Sequence, residues 1–465
     1  MELNEKVIKD IVAQVVGSIE SGKVVATKKQ KGVFDTMTEA LEAVNKAYQE
    51  FRGYSVEQRE KMIANIRRLT LEEAAVMAKM GVDETGMGNV TDKTIKHQLV
   101  ANKTPGTEDL SPSVMTGDCG LTLVEMAPYG VIGSITPSTN PSETVICNSI
   151  GMIAGGNAVV FNPHPNAKEV ANYAVDLVNR GILEAGGPEN LVVTVKNPTK
   201  ESSDEMMASP IVRMLVATGG PGVVKALLSS GKKAIGAGAG NPPVIVDDTA
   251  DVKKAGRDIV AGASFDNNLP CIAEKECFAF TNIADELIDS MIKSGAYMLT
   301  KEQAEKLKNI ILVEKNGKYS INKDWVGKDA KLFLKAIGIE ADAKLVICET
   351  DADHPFVQVE MMMPVLAIVR VKDIDEAIRL ACIAEHGNRH SAHIHSKNVD
   401  HLTRFAKAVE TTIFVKNAPS YAGIGAGGEG YTTFTIAGPT GEGLTAAHSF
   451  TRQRRCVLVD GLHIV

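Results

Sequence analysis

Short apolar runs alternate with longer amphipathic runs along most of this chain, and that alternation limits the fold more than any other feature. Gly130 to Ile135 reads as a strand, followed through Thr136-Pro137-Ser138-Thr139-Asn140-Pro141-Ser142 by a helix from Glu143 to Ala154. Ala158 to Asn162 predicts a strand, Ala167 to Ala185 a helix, Leu191 to Val195 a strand, Glu201 to Met207 a helix and Met214 to Ala217 a strand. The loop Thr218-Gly219-Gly220-Pro221-Gly222 opens a further helix from Val223 to Ser230. The second half repeats the pattern, from a helix over Val252 to Ala261 to a strand over Ile413 to Val415. Strands joined through helices lie parallel, because parallel pairing needs a long crossover. Helices then cover both faces of the sheet, so an α/β chain is expected. Helices over Thr36 to Phe51, Val56 to Met80 and Val90 to Val100 precede it. The tail Cys456 to Val459 alternates like a strand, suited to pairing across subunits.

At 465 residues the chain suggests about two to four domains. A net charge of −7 supplies no basic stripe, so nucleic acid is not an expected partner. No apolar run is long enough to cross a bilayer. The start lacks the basic segment and continuous apolar core of a secretion signal, so none is expected. The seven cysteines are scattered and never spaced C-x-x-C, which fits a reduced interior and not a disulfide framework or zinc site.

One of them stands apart. In Ser264-Phe265-Asp266-Asn267-Asn268-Leu269-Pro270-Cys271-Ile272-Ala273-Glu274-Lys275, a thiol follows a proline at the end of an Asn-rich turn. A helix is predicted before it and a buried strand, Cys277 to Thr281, after it. Such junctions let a side chain reach a cleft. Asn267 and Asn268 tolerate unusual backbone angles and Pro270 stiffens the approach. Cys271 is therefore a candidate nucleophile, against the alternative of a buried cysteine acting as a small hydrophobe.

Other candidates are weaker alone. Asn140 follows a strand between Pro137 and Pro141, and its amide could donate to a developing oxyanion or serve only the turn. Glu360 precedes a buried strand and by itself is an ordinary carboxylate. His386, His390, His393 and His395 are dense, but Gly387 and Asn388 end a helix between them. His393 and His395 would share one strand face, and surface or hydrogen-bonding roles are favoured over metal. Gly236-Ala237-Gly238-Ala239-Gly240 leads into Pro242-Pro243 and a strand, so it is not the usual phosphate loop. A closely approached backbone or a domain crossover suits it better. The glycines after Thr218 precede a helix, whose N–H groups face an anion. Leu3, Val7, Ile8, Ile11, Val12, Val15, Val16 and Ile19 form one face of an N-terminal helix on a basic linker. That helix either packs on the body or docks in a partner's groove.

With these residues in place, the chain from about Phe34 onward resembles the aldehyde dehydrogenase superfamily, and in it the coenzyme-A-acylating branch of bacterial microcompartments. The carrying motifs are Glu84-Thr85-Gly86-Met87-Gly88, Thr136 to Pro141, Ala237 to Pro243, Ser264 to Lys275, Asn417 to Gly423, Gly427-Gly428-Glu429-Gly430 and Phe450 to Cys456. The resemblance implies a Rossmann-type nucleotide-binding domain over 34–242 with a flap hairpin near 113–127. It also implies an α/β catalytic domain over 243–432 and a C-terminal segment, 433–465, completing a β oligomerisation flap. Residues 1–20 match an encapsulation helix for a microcompartment shell protein, with a linker over 21–33. Cys271 matches the nucleophile and Asn140, with the Cys271 N–H, the oxyanion donors. Glu360 matches the carboxylate that holds the nicotinamide ribose. Thr136, Pro137, Ser138, Asn162, Pro163, His164, Thr218, Gly219, Gly220 and Gly238 match cofactor positions. NAD and coenzyme A are implied, with a short-chain aldehyde, propionaldehyde foremost, as substrate. So are a homodimer or homotetramer in a cytoplasmic microcompartment, and no metal.

One departure from the family pattern carries its own chemistry. Hydrolytic members carry a glutamate in the glycine segment to activate water, and Ile235 to Gly240 contains no acid. A missing general base is worth about 10²–10⁴ in rate. A thiol needs far less help, because its pKa lies near neutrality. Coenzyme A is therefore expected as acyl acceptor over water, and an acid introduced at Gly236 or a neighbouring glycine is expected to raise hydrolysis. A hydrolytic dehydrogenase giving the free acid, an acyl-phosphate reductase and an inactive shell-associated scaffold are the alternatives.

Overall fold

The expected alternation appears as two parallel sheets in the computed structural model, which describes residues 30–465; the N-terminal helix and residues 21–29 of its linker lie outside the described residues. Two compact units divide the chain. Residues 30–84, Thr94–Ala237 and Tyr431–Val465 form one, and Thr85–Lys93 with Gly238–Gly430 the other.

The first unit holds a six-stranded parallel sheet. Its spatial order is Val33–Phe34, Val192–Val195, Ala158–Pro163, Val131–Thr136, Val212–Thr218, Lys233–Ala237. After the edge strand Val33–Phe34, the chain enters at Val131–Thr136, builds outward on one side, then returns to build on the other. That reversal leaves a crevice at the carboxyl ends of Val131–Thr136 and Val212–Thr218. Helix Pro141–Ala154 is buried on every side, with Pro141 in its first turn. Helix Met37–Phe51 is started by a reciprocal Thr36–Glu39 capping box and buries Leu41, Val44 and Phe51 in the same core as Val159 and Phe161.

Lys233–Ala237 is a strand that the glycine-rich reading did not anticipate. Gly236 pairs with Ala217 in it, and Ala237 with Thr218. Residues 238–240 are where the chain passes from the first unit to the second. A separate antiparallel sheet orders Ser113–Gly117, Gly120–Pro128 and Thr451–Val459. The tail strand begins at Thr451, earlier than its alternation indicated, and its partner is Gly120–Pro128 of the same chain, with Cys456 opposite Leu123. Thr451–Val459 is itself an outer strand of this sheet, bonded within the chain on one side.

The second unit holds seven parallel strands in the order Ala296–Met298, Leu345–Glu349, Val365–Val371, Glu276–Phe280, Pro243–Val246, Ser391–His395, Ile413–Lys416. The segment after the candidate thiol thus becomes the middle strand. Its side chains alternate: Cys277 and Ala279 join one core with Val244 and Ile259, while Phe278 and Phe280 join the other with Phe333 and Phe356. Helix Val252–Ser264, capped by Asp251 accepting from the Lys254 N–H at 3.0 Å, leads into the thiol turn. It lies close to helix Ala284–Lys293, where a Cβ on Gly256 would meet Ser290 Oγ at 2.5 Å.

Candidate active site

Nine of the expected cofactor positions fall at the carboxyl ends of three neighbouring strands of the first unit. Thr136 ends Val131–Thr136 and is buried, and its hydroxyl has no partner among the described residues. Pro137 and Ser138 follow it, half-buried. Asn162 and Pro163 end Ala158–Pro163. The Asn162 amide donates to Thr199 O (3.3 Å) and accepts from Ser202 Oγ (2.6 Å), so its side chain is fixed. His164 turns the chain by accepting from the Asn166 N–H (3.1 Å) while its own N–H donates to Thr136 O (3.1 Å). Thr218 ends Val212–Thr218, and its hydroxyl bonds that of Thr435 (2.9 Å), which donates to Asn148 Oδ1 (3.0 Å). Gly219 and Gly220 then open helix Pro221–Leu228. Gly238 and Glu360 belong to the other unit.

Asn140 sits immediately before helix Pro141–Ala154 and is 8% exposed. Its carbonyl oxygen accepts from the Lys96 ammonium at 2.5 Å. Lys96, fully buried, also pairs with Glu143 at 3.1 Å. A carbonyl held by an ammonium fixes which way the amide faces and so directs its NH₂. His97 on the same helix meets Ser142 Oγ at 2.8 Å. Lys96, His97 and Glu143 were not anticipated. Helix Val90–Lys103 looks polar all round, which by default means solvent. The available signal was that Lys93, Lys96 and His97 share one face with Val100 at helical spacing; all four are buried.

The thiol turn is strained and heavily tied. Asp266, Asn267 and Asn268 are all left-handed, with φ of 46°, 55° and 65°. Each such non-glycine residue costs about 1 kcal/mol. The hydrogen bonds that offset this are many, at about 1 kcal/mol each and about twice that when charged. Asp266 takes the buried Lys93 ammonium at 3.1 Å and the Asn89 N–H at 3.0 Å. Gly88, at φ +75°, lies where a Cβ would strike the Asp266 carboxylate, which explains the glycine there. Asn267 donates to Gly327 O and Asp329 Oδ1, both at 2.9 Å. Asn268 donates to Ala263 O (2.8 Å) and Glu274 O (3.0 Å). Lys275 returns its ammonium to Asn268 Oδ1 (2.6 Å), Asn268 O (2.9 Å) and Pro270 O (3.4 Å). Cys271, half-buried, is the residue this scaffold presents.

A set of buried charges surrounds it within the second unit. Burial pushes the Lys275 ammonium down, against the pull of Glu360 and Cys271. Burial raises the half-buried Glu360 carboxyl, against Lys275 and the Gly240 N–H. A Cβ on Gly240 would lie 2.8 Å from His390 Cγ and 3.1 Å from the Cys271 carbonyl oxygen. Glu274 is raised to about 7 by burial, while its carboxylate accepts from the Ser420 N–H at 2.9 Å. Glu276 is raised well above the carboxylate range, and neither oxygen has a hydrogen-bond partner among the described residues. His390 and His393 are buried and pushed down to about 4, so both imidazoles are neutral at pH 7. His393 contacts Ile272 O at 2.9 Å and His390 contacts Ser391 Oγ at 2.8 Å. The histidines of this strand are thus interior groups and not surface ones.

Gly236 lies outside this set. It is buried on its strand, where a Cβ would meet Val224 Cγ1 at 2.7 Å, and its N–H donates to Thr440 Oγ1 at 3.2 Å. A glutamate there would have to displace the packing of Val224. Gly236 is therefore unsuited to the acid substitution considered above, and Gly240 is closed by His390 and the Cys271 carbonyl.

The aldehyde dehydrogenase family model matches residues 14–444. The acetaldehyde dehydrogenase (acetylating) of Salmonella typhimurium is 47% identical over 469 residues, covering 100% of both chains. A propionaldehyde dehydrogenase from the Clostridium phytofermentans fucose utilisation bacterial microcompartment is 57% identical at a TM-score of 0.92, over 94% of this chain and 100% of that one. The propionaldehyde dehydrogenase of Rhodopseudomonas palustris, solved with bound CoA and an acylated cysteine, is 54% identical at a TM-score of 0.91, over 93% of this chain and 99% of that one. The chain belongs to the aldehyde dehydrogenase family and, within it, to the coenzyme-A-acylating branch.

Proposed function

We propose that this protein oxidises a short-chain aldehyde, propionaldehyde foremost, with NAD⁺ and transfers the acyl group to coenzyme A. The Cys271 thiolate attacks the carbonyl carbon. The Asn140 amide and the Cys271 N–H then carry the oxyanion, a donor of this kind being worth about 2.7–4 kcal/mol of barrier. The strand ends at Thr136, Asn162 and Thr218 suit a dinucleotide, and the buried Thr136 hydroxyl, without a partner among the described residues, fits a polar ligand there. Pro137, Ser138, His164, Gly219, Gly220 and Gly238 complete that assignment, and Glu360 takes the ribose. Bound, the dinucleotide supplies the hydride acceptor. Loss of hydride leaves a thioester on Cys271. The coenzyme A thiolate attacks that carbonyl, and Cys271 departs again as thiolate.

The observation that carries this reading is the packing of Gly240 against the Cys271 carbonyl, in a segment with no acid. Nothing in that segment sharpens water, while a thiol acceptor needs no such base. The names and bound states of the relatives support the same acceptor. We extend the reading to location and assembly. The protein works inside a bacterial microcompartment, reaches its shell through residues 1–20, and is a homodimer or homotetramer.

Product analysis tests the chemistry. Acyl-CoA forms rapidly when coenzyme A is present, free acid forms slowly without it, and Cys271→Ala retains no more than a trace of either. Free acid released equally fast without a thiol acceptor would refute the proposal.

A further inference from the structure

We infer that Lys275 is the positioning residue of the nucleophile: its buried ammonium both clasps the turn that presents Cys271 and holds that sulfur as its thiolate. The inference rests on Cys271 being the nucleophile. Its three acceptors are all on the approach to the thiol: the side chain and carbonyl of Asn268, and the carbonyl of Pro270. They span the end of the left-handed run and the residue directly before Cys271. One ammonium thus ties together the strained turn and the peptide that carries the sulfur. A lysine usually snorkels its ammonium out to water; this one is 2% exposed, and its charge is not shared with water.

The second observation is electrostatic. The groups facing this ammonium are Cys271, Glu360, Glu274 and Glu276, with His390 just before strand Ser391–His395 and His393 on it. Burial raises the Glu276 carboxyl well above its ordinary value and holds both imidazoles, at about 4, neutral near pH 7, so the histidines add no full charge there. Glu274, held near 7, has an oxygen committed to the Ser420 N–H. Glu360 and Cys271 are the groups whose negative charge pulls hardest on the Lys275 ammonium. A thiolate beside a buried cation is the arrangement that lowers a cysteine pKa. The carboxylates in the set act in the opposite sense, so the cation is needed to keep the sulfur anionic.

Iodoacetamide inactivation against pH tests this, with the adduct located by mass spectrometry and kcat and KM measured in parallel. In the wild-type enzyme, Cys271 should alkylate with a midpoint below the ordinary thiol value of about 8.5. In Lys275→Met the midpoint should rise by at least about one unit, so that alkylation at neutral pH slows about tenfold. Lys275→Arg keeps the charge but not the compact three-acceptor clasp. It should keep the low midpoint while kcat falls with little change in KM. A wild-type midpoint at or above about 8.5 overturns the inference without any variant. So does a folded Lys275→Met protein with an unmoved midpoint, or a Lys275→Arg protein with wild-type kcat. An adduct on a different cysteine in the wild-type enzyme would instead refute the nucleophile assignment itself.

Discussion

Replacing Lys96 by Met probes how the oxyanion donor is aimed. The ammonium holds Asn140 Oδ1 at 2.5 Å and Glu143 at 3.1 Å, with Lys96 and Glu143 essentially inaccessible. Two effects are expected, and a second substitution separates them. Taking one partner from a buried ion pair costs about 3–5 kcal/mol of stability. Removing the bond to Asn140 frees its amide, whose other side-chain bond among the described residues is a 3.3 Å one to Thr139. A charged hydrogen bond is worth about 1.5–3 kcal/mol, so losing that preference should lower kcat by about 10- to 150-fold. KM should change little, because the oxyanion exists only after attack. Lys96→Met/Glu143→Gln removes both charges, so it should recover most of the thermal stability but not the turnover. Thermal melts and NADH absorbance with propionaldehyde and coenzyme A read the two quantities. A stable double variant within about twofold of wild-type kcat would refute the reasoning.

Glu274 gives a pH prediction. Its carboxyl is held at about 7 against an ordinary 4.5, so between those values the folded protein binds the extra proton. Stability from this group is full below about 4.5 and is lost as pH rises through about 7, by about 3 kcal/mol in all. Glu274→Gln should therefore gain on wild type by about that amount between pH 5 and pH 8.5 in denaturant melts; parallel profiles would show the carboxyl is not perturbed. For the N-terminal segment, deletion of residues 1–22 should leave kcat intact and abolish co-purification with shells. Retained co-purification would remove that segment's assigned role.

The α/β alternation was readable because apolar periodicity is local: a buried parallel strand and a helix face write different spacings into neighbouring residues. Cys271 was readable for a similar reason, since Asn267, Asn268 and Pro270 announce an unusual turn by their own backbone preferences. Asp266 joins that left-handed run, which aspartate tolerates as asparagine does. Lys233–Ala237 was missed because Ala-Ile-Gly-Ala has little strand preference of its own; pairing with Val212–Thr218 makes it one. The tail strand's partner, more than 300 positions earlier at Gly120–Pro128, came from the family resemblance and not from the tail's own alternation.

The charges show the division most sharply. Lys93, Lys96, Lys275 and Glu276 are residues whose own chemistry says solvent, and all four are buried. What pays for each lysine is an acceptor distant in sequence or set by a turn: Asp266 for Lys93, Asn140 and Glu143 for Lys96, Asn268 and Pro270 for Lys275. Residue order determined the layers, the thiol and the missing acid, because each is a property of a short stretch. Only the tertiary structure decided which ammonium bonds the Asn140 amide and which one ties the turn before Cys271, because burial and partner geometry belong to no residue alone.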